Sequence, residues 1–287
     1  MGKHMKPAHP AAVKAALSRQ LAEAALGLSG GGIDDVAIHA ARKKLKSARA
    51  KLRLLRDAAG RAAYTRENAA VRDAARPLSE LRDAKVMLDT VNDLLARKRG
   101  RARRLLLTAL RGRLRAQHRE ARRRFEAEKR AAKSAGALER TVRRTALWDV
   151  PNHGATLERS IRRMYRKARK AFAAADAERS PASLHELRKL VKYLREALAP
   201  VDGTPLPRAA GIVERADKLA SELGEDHDLC VLEQHLSTTE ASLHAHSASF
   251  AGEIAERRGK LQRRALERAA KLLRKKPRAF VKRLALT

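Results

Sequence analysis

The chain holds a single cysteine, Cys230, among 287 residues. One thiol excludes an internal disulfide and a cysteine-built metal cage. Flanked by Leu229, Val231 and Leu232, Cys230 reads instead as a small buried hydrophobe, compatible with a reducing cytoplasm. Aromatic residues make up only 3% of the chain, too few and too scattered for a run of base-stacking platforms or for the Val/Ile/Tyr/Phe-rich strands of a sheet. No window approaches about 18 apolar residues without a charge, and no early stretch joins a basic start, an apolar core and a cleavage site. Neither export nor a membrane span is expected. Acidic residues are scarce as well: 32 Asp and Glu face 65 Lys and Arg, a formal charge of +33. Such an excess repels itself unless a polyanion compensates it, so the expected partner is strongly negative.

What remains is largely helix-forming. Hydrophobic residues are 44% of the chain and are dominated by Ala and Leu, enough for a core and suited to close-packed helices. The expected fold class is all-α. Breakers at Gly30 to Gly32, Gly60, Pro77, Gly100, Gly136, Pro151 to Gly154, Pro181, Pro200 to Pro207, Gly224 and Gly252 divide the sequence. Helices are expected over about 8–28, 34–58, 62–75, 78–98 and 101–133, then 155–178, 182–199, 208–223, 226–245 and 250–274, five in each half. Residues 1–9, with Met5 closely following Met1, are expected to be a tag or disordered N-terminus, and 276–287 a C-terminal tail.

The segment beginning His39, Arg42, Lys43, Lys46, Arg49 returns 146 positions later as His185, Arg188, Lys189, Lys192, Arg195, both copies reading HxxRKxxKxxR. On a helix at about 100° per residue, the four basic residues fall near −60°, +40°, −20° and −80° from the histidine, within an arc of roughly 120°. Leu45, Ala48, Leu52 and Leu55 in the first copy, and Leu187, Val191, Leu194 and Leu198 in the second, form the opposite, apolar stripe. Each helix is thus a cationic ridge on a greasy base, and Arg53 is counted with the first ridge. Successive cations lie about 5 Å apart along the axis, a spacing suited to a linear chain of phosphates. Arg forks phosphate oxygens and Lys adds a mobile point charge.

A second phrase recurs in the same order. Leu78-Ser79-Glu80-Leu81-Arg82-Asp83-Ala84-Lys85-Val86 corresponds to Leu223-Gly224-Glu225-Asp226-His227-Asp228-Leu229-Cys230-Val231 at an offset of 145. An internal duplication accounts for both, with repeats of about 10–135 and 155–275. If the halves pack about a pseudo-twofold axis, the two ridges face one another as walls of one groove or pore. A long basic helix closes each half, and Arg111, Arg115 and Arg264 are its candidate anion contacts. The basic helix before the second motif adds Arg163, Arg166 and Lys167.

With the twin ridges and the twin phrases ending in Arg82-Asp83 and His227-Asp228, the chain resembles the CHAD domain family over about 10–275. The resemblance implies two pseudo-symmetric antiparallel helical bundles around a central basic pore. It also implies binding of inorganic polyphosphate, often on polyphosphate granules in the cytoplasm. By position it points to the five residues of each ridge as ligands. The family phrase usually has Arg-Asp in both halves, so His227 departs from it. Some members follow a triphosphate-tunnel domain marked by ExExK; Glu126-Ala127-Glu128-Lys129 has the wrong spacing, and the segment before the first motif is short for a further domain. The expectation is a binding module, not an enzyme, without cofactor or metal, taking polyphosphate and, in the same pore, phosphate or sulfate ions.

Other readings compete. Non-specific binding of a nucleic-acid backbone needs only a basic patch, and the helix from Arg101 to Arg130 supplies one, although no helix-turn-helix, zinc-finger or zipper pattern is present. His185 with His227-Asp228 suggests a metal phosphohydrolase, but Arg82 holds the position equivalent to His227 and cannot ligate a metal. Asp83 and Asp228 are read as helix starts or as partners that orient ridge arginines. The two motif histidines are read as anion contacts with lowered proton affinity, or as interface hydrogen bonders.

Overall fold

A computed structural model of the chain describes residues 9–30, 32–96, 101–150, 154–199, 208–237 and 244–284. Among them are ten α-helices and no strand. In chain order these are α1 (Pro10–Ser29), α2 (Asp35–Ala59), α3 (Arg61–Ala96), α4 (Arg101–Ala127), α5 (Arg130–Ala146), α6 (Ala155–Glu178), α7 (Pro181–Leu198), α8 (Ala210–Ser237), α9 (His244–Leu272) and α10 (Pro277–Leu284).

Local chemistry sets several of the boundaries. Asp34 caps α2 by accepting from the Ala37 amide at 2.7 Å, and Ser180 caps α7 by accepting from Ser183 at 3.1 Å. Pro10 and Pro181 open their helices, where a missing N–H costs nothing. Gly60, at φ +86°, ends α2 in a conformation that suits a residue without a side chain.

Where the helices differ from expectation, a tertiary contact supplies the reason. Pro77 lies inside α3 rather than ending a helix, because Val71, Ala74, Leu78 and Leu81 on both sides of it are buried in one core. Gly224 likewise lies inside α8. The expected 101–133 helix instead breaks at Lys129, which adopts φ +50°, and a separate helix α5 runs on to Ala146. Residues expected as a tail form α10, held to α6 by the stacked rings of Tyr165 and Phe280, 3.8 Å between centroids. The Tyr165 hydroxyl also donates to the Lys275 carbonyl at 3.1 Å.

The packing follows one pattern twice. α1 packs on α2 and α5 as α6 packs on α7 and α10; α2 packs on α3 as α7 packs on α8; α3 packs on α4 as α8 packs on α9. Between the sets, α2 meets α6 and α7, α3 meets α8, and α4 meets α9. Two separate apolar cores result. The larger gathers α1, α2, α5, α6, α7 and α10 with the first parts of α3 and α8 and the last parts of α4 and α9, including Leu52, Leu55, Val71, Phe125, Leu187, Leu194 and Leu266. The smaller joins the last parts of α3 and α8 to α4 and α9 through Met87, Val91, Leu107, Leu232 and Ile254.

The larger core also encloses a carboxylate. Glu67, fully buried on α3, receives Arg144 of α5 at 2.8 and 2.7 Å and Arg66 at 2.7 Å. Burial pushes its carboxyl up, but Arg144 and Arg66 more than reverse this and hold it below the ordinary value. A depressed carboxyl favours the fold above its unfolded value and withdraws that support as pH falls through the folded one. Arg144→Ala leaves the buried carboxylate with Arg66 as its remaining charged partner; since Arg144 is itself 36% exposed, the expected loss is about 2–3 kcal/mol, below the range for a wholly buried pair. Denaturant unfolding at pH 7 measures it, and the difference from the parent protein shrinks toward acid pH.

Candidate functional site

The two cores are separated by a polar layer. Along α3 the larger core ends at Leu81 and the smaller begins at Met87; along α8 the corresponding residues are Leu223 and Leu229. The residues between, Arg82 to Val86 and Gly224 to Asp228, overlap the repeated phrases and include Arg82-Asp83 and His227-Asp228. Helices α2 and α7, whose leucine stripes are buried in the larger core, bring their cationic ridges to this layer.

Arg42, on α2, reaches Asp83 of α3 at 3.5 Å; its own side chain is 14% exposed and that of Asp83 is 71% exposed. Arg188, on α7, lies against α8, where a Cβ at position 224 would come within 3.2 Å of its Nη2. Gly224 therefore makes room for this guanidinium, the physical reason for a glycine within an unbroken helix. The Nε of Arg188 is buried and has no hydrogen-bond partner among the described residues. Its attractive neighbours are Asp228 and Asp83, the latter supplied by the other half of the chain.

Lys46 of α2 and Lys192 of α7 complete a cluster that spans both ridges. Burial lowers the proton affinity of Lys46, and Arg42 and Arg188 lower it further. Lys192 is lowered to about 8, by burial first and then by Arg188, Lys46 and Arg195, with Asp228 opposing. Burial is the first cause of this depression, and the neighbouring cations add to it. Asp228 is itself raised by burial, although Arg188 and Lys192 pull it down.

Each histidine has a counterpart from the polar layer. His39 is lowered by burial, then by Arg82, Lys46, Arg42 and Lys43. His185 is lowered by burial, then by His227, Arg188 and Lys189, and its ring lies 4.8 Å from that of His227, tilted by 50°. Arg82, whose guanidinium also reaches Asp89 at 3.4 Å, acts on His39 through its charge, and His227 packs directly on His185. Both motif histidines favour the neutral form, the direction expected for imidazoles on a cationic ridge. Among the described residues no group of three His, Cys, Asp or Glu is placed to hold a metal ion.

The other sequence candidates lie outside this cluster. Lys43 is exposed at the ridge edge, and Arg49 turns to Asn68 at 3.3 Å. Arg195 is engaged by Glu196 and Asp217, and Lys189 by Glu186. Arg163 makes hydrogen bonds of 2.8 and 2.7 Å to Asp57, while Arg166 and Lys167 are exposed on α6. Arg53 stacks on Tyr193. Arg111, half-buried, and Arg115, exposed, belong to α4; Arg264 of α9 shares Glu222 with Arg268, each at 2.9 Å. The acids of α8 are directed toward α9 in the same way, with Arg258 held by Asp226 at 3.1 Å and Glu233 at 2.6 Å. Arg82, His227 and Gly224 were absent from the sequence candidates. Asp83 and Asp228 are not helix starts, since both lie within long helices, and Asp83 is instead a partner of Arg42.

A family model described as the CHAD domain matches residues 11–237. No curated protein matches the sequence. Solved structures resemble the fold, among them the following two. "Crystal structure of the CHAD domain from the plant Ricinus communis" is 18% identical, with a TM-score of 0.62, covering 96% of this chain and 94% of that one. "PptA from Streptomyces chartreusis" is 16% identical, with a TM-score of 0.67, covering 93% of this chain and all of the other. At these identities the likeness is one of fold.

The crowding of Lys192 is measurable without a ligand. In an NMR titration of lysine Cε-labelled protein, its amine is expected to lose its proton near pH 8. In Lys46→Ala the midpoint moves up, toward the ordinary value of about 10.4. An unchanged midpoint would show that Lys46 does not press on Lys192.

Proposed function

The chain belongs to the CHAD domain family, and from that premise we propose that it binds inorganic polyphosphate on the cationic cluster formed where α2 and α7 meet. The carrying observation is the convergence of cations from both ridges: Arg188 acts on Lys46, and Arg188 and Lys46 act on Lys192, with Arg188 and Lys192 half-buried and Lys46 exposed. A chain of phosphates would return charge to these groups, pair the free Nε of Arg188 and release counterions on binding. Its spacing suits ridge cations about one helical turn apart.

In this reading the two ridges are opposed walls of one basic channel descended from an internal duplication, and His39 and His185 are phosphate contacts. The recurring helix contacts and the matched pairs His39/Arg82 and His185/His227 support the duplication. The protein acts as a binding module that places itself on polyphosphate granules in the cytoplasm; no reaction is assigned to it. No described helix is long and apolar enough to cross a membrane.

Arg42→Ala/Arg188→Ala tests the assignment. Each charge-assisted contact is worth about 1.5–3 kcal/mol, so the pair is expected to weaken long-chain polyphosphate at least about tenfold with helicity intact, whereas Arg264→Ala leaves it unchanged. Displacement of fluorescent polyphosphate by excess unlabelled DNA at physiological salt would favour nucleic acid as the ligand. The pH profile gives a further test. Because the empty site lowers His39 and His185, a bound anion draws protons onto them, so affinity rises as pH falls below about 6.5. Affinity falls above pH 8, where Lys192 discharges. A flat curve from pH 5.5 to 9 at fixed ionic strength rules out these roles.

A further inference from the structure

Outside the ridge cluster, a cleft of about 290 Å3 opens between α2, α6, α7 and the start of α3. The chain has three tyrosines, and two of them, Tyr64 and Tyr193, line this one cleft. Arg53 forms part of its wall, with its guanidinium carbon 3.6 Å from the Tyr193 ring centroid and its Nη1 donating to the Arg49 carbonyl at 2.7 Å. The groups acting most strongly on Arg53 are Tyr193, Arg49 and Tyr64, none of them a carboxylate. Arg56 approaches the Tyr64 ring at 5.6 Å, and Lys167 is exposed at the cleft. Arg163 and Lys189 also line it but are engaged by Asp57 and Glu186.

This composition differs in kind from the ridge cluster. Among the charged groups of the wall, which include the Glu186 carboxylate, the half-buried Leu190, Tyr64 and Tyr193 contribute apolar and aromatic surface, with Met164 buried beneath them, and a bare phosphate chain has no group complementary to that surface. A ligand with a flat ring and a phosphate tail would use both parts of the wall. The volume is at the small end of the roughly 300–1,000 Å3 typical of ligand pockets, which favours a compact nucleotide over a dinucleotide. The two sites use different side chains: none of the residues lining the cleft is Arg42, Lys46, Arg188 or Lys192. Along α2, Lys46 and Arg53 start about 10 Å apart.

We propose that this cleft binds a nucleoside diphosphate, its phosphates on Arg53, Arg56 and Lys167 and its base against Met164, Leu190 and Tyr64. The site is independent of polyphosphate binding on the ridges and makes a different demand on its ligand, a ring as well as charge.

Calorimetric titration of the full chain with ADP, with inorganic pyrophosphate as the ringless control, tests the proposal. ADP is expected to bind at least about tenfold tighter than pyrophosphate, and Arg56→Ala/Lys167→Ala to weaken ADP at least about tenfold. The ridge variant Arg42→Ala/Arg188→Ala keeps ADP affinity. If the cleft double variant loses helicity, Lys167→Glu alone serves, with the same loss expected. The proposal is overturned if ADP does not bind, if pyrophosphate binds equally well, or if the ridge variant rather than the cleft variant loses ADP. Polyphosphate affinity of the ridge variant reports separately on the ridge assignment, so failure of either reading is recognised by itself.

Discussion

Like charge held at close quarters is the constraint on which this structure turns. Arg42, Lys46, Arg188 and Lys192 come from two helices distant in sequence, and each loses proton affinity to burial before any neighbour acts on it. In water such a group of cations would spread apart. Here it is held because the opposite faces of the same helices are committed to the core: Leu45, Ala48, Leu52 and Leu55 on α2 and Leu187, Val191 and Leu194 on α7 are all buried. Each buried leucine contributes roughly 1.5–3 kcal/mol, and turning a ridge outward would expose its whole stripe. Apolar burial thereby offsets electrostatic repulsion.

The arrangement of acids makes the site more positive than composition alone would. Arg258, Arg264 and Arg268 on α9 are matched by Asp226, Glu233 and Glu222 of α8, and Arg144 and Arg66 by the buried Glu67. At the cluster, Asp83 is largely exposed and Asp228 is raised by burial, so the nearest carboxylates compensate weakly. The cluster lies in the polar layer between the two apolar cores.

How much of this could be read from the chain depended on the range of the cause. The ridges were legible because amphipathic periodicity is a local property of the helix. The caps at Asp34 and Ser180 and the break at Gly60 act within a turn or two, and the ends of α2, α6 and α7 fell close to expectation. Pro77 and Gly224 misled because their usual local meaning was overridden by long-range partners, a core on both sides of Pro77 and a guanidinium beside Gly224. The residues that act on the motif histidines, Arg82 and His227, lie on other helices. Only the recurrence of their phrase at nearly the offset of the ridges hinted at them.

By itself the sequence determined an all-helical chain, a large positive excess, and two equivalent ridges with cations at helical spacing, since each follows from composition or from contacts within one element. Tertiary structure alone decided which cations remain available. Arg195, Arg163 and Arg264 look the same on paper as Arg188, yet these three meet carboxylates that packing carries to them. Arg188 is left with an Nε unpartnered among the described residues and the opposite ridge for a neighbour. Charge is a property of the residue, whereas its compensation depends on distance to residues far away in the chain, and only the fold sets that distance.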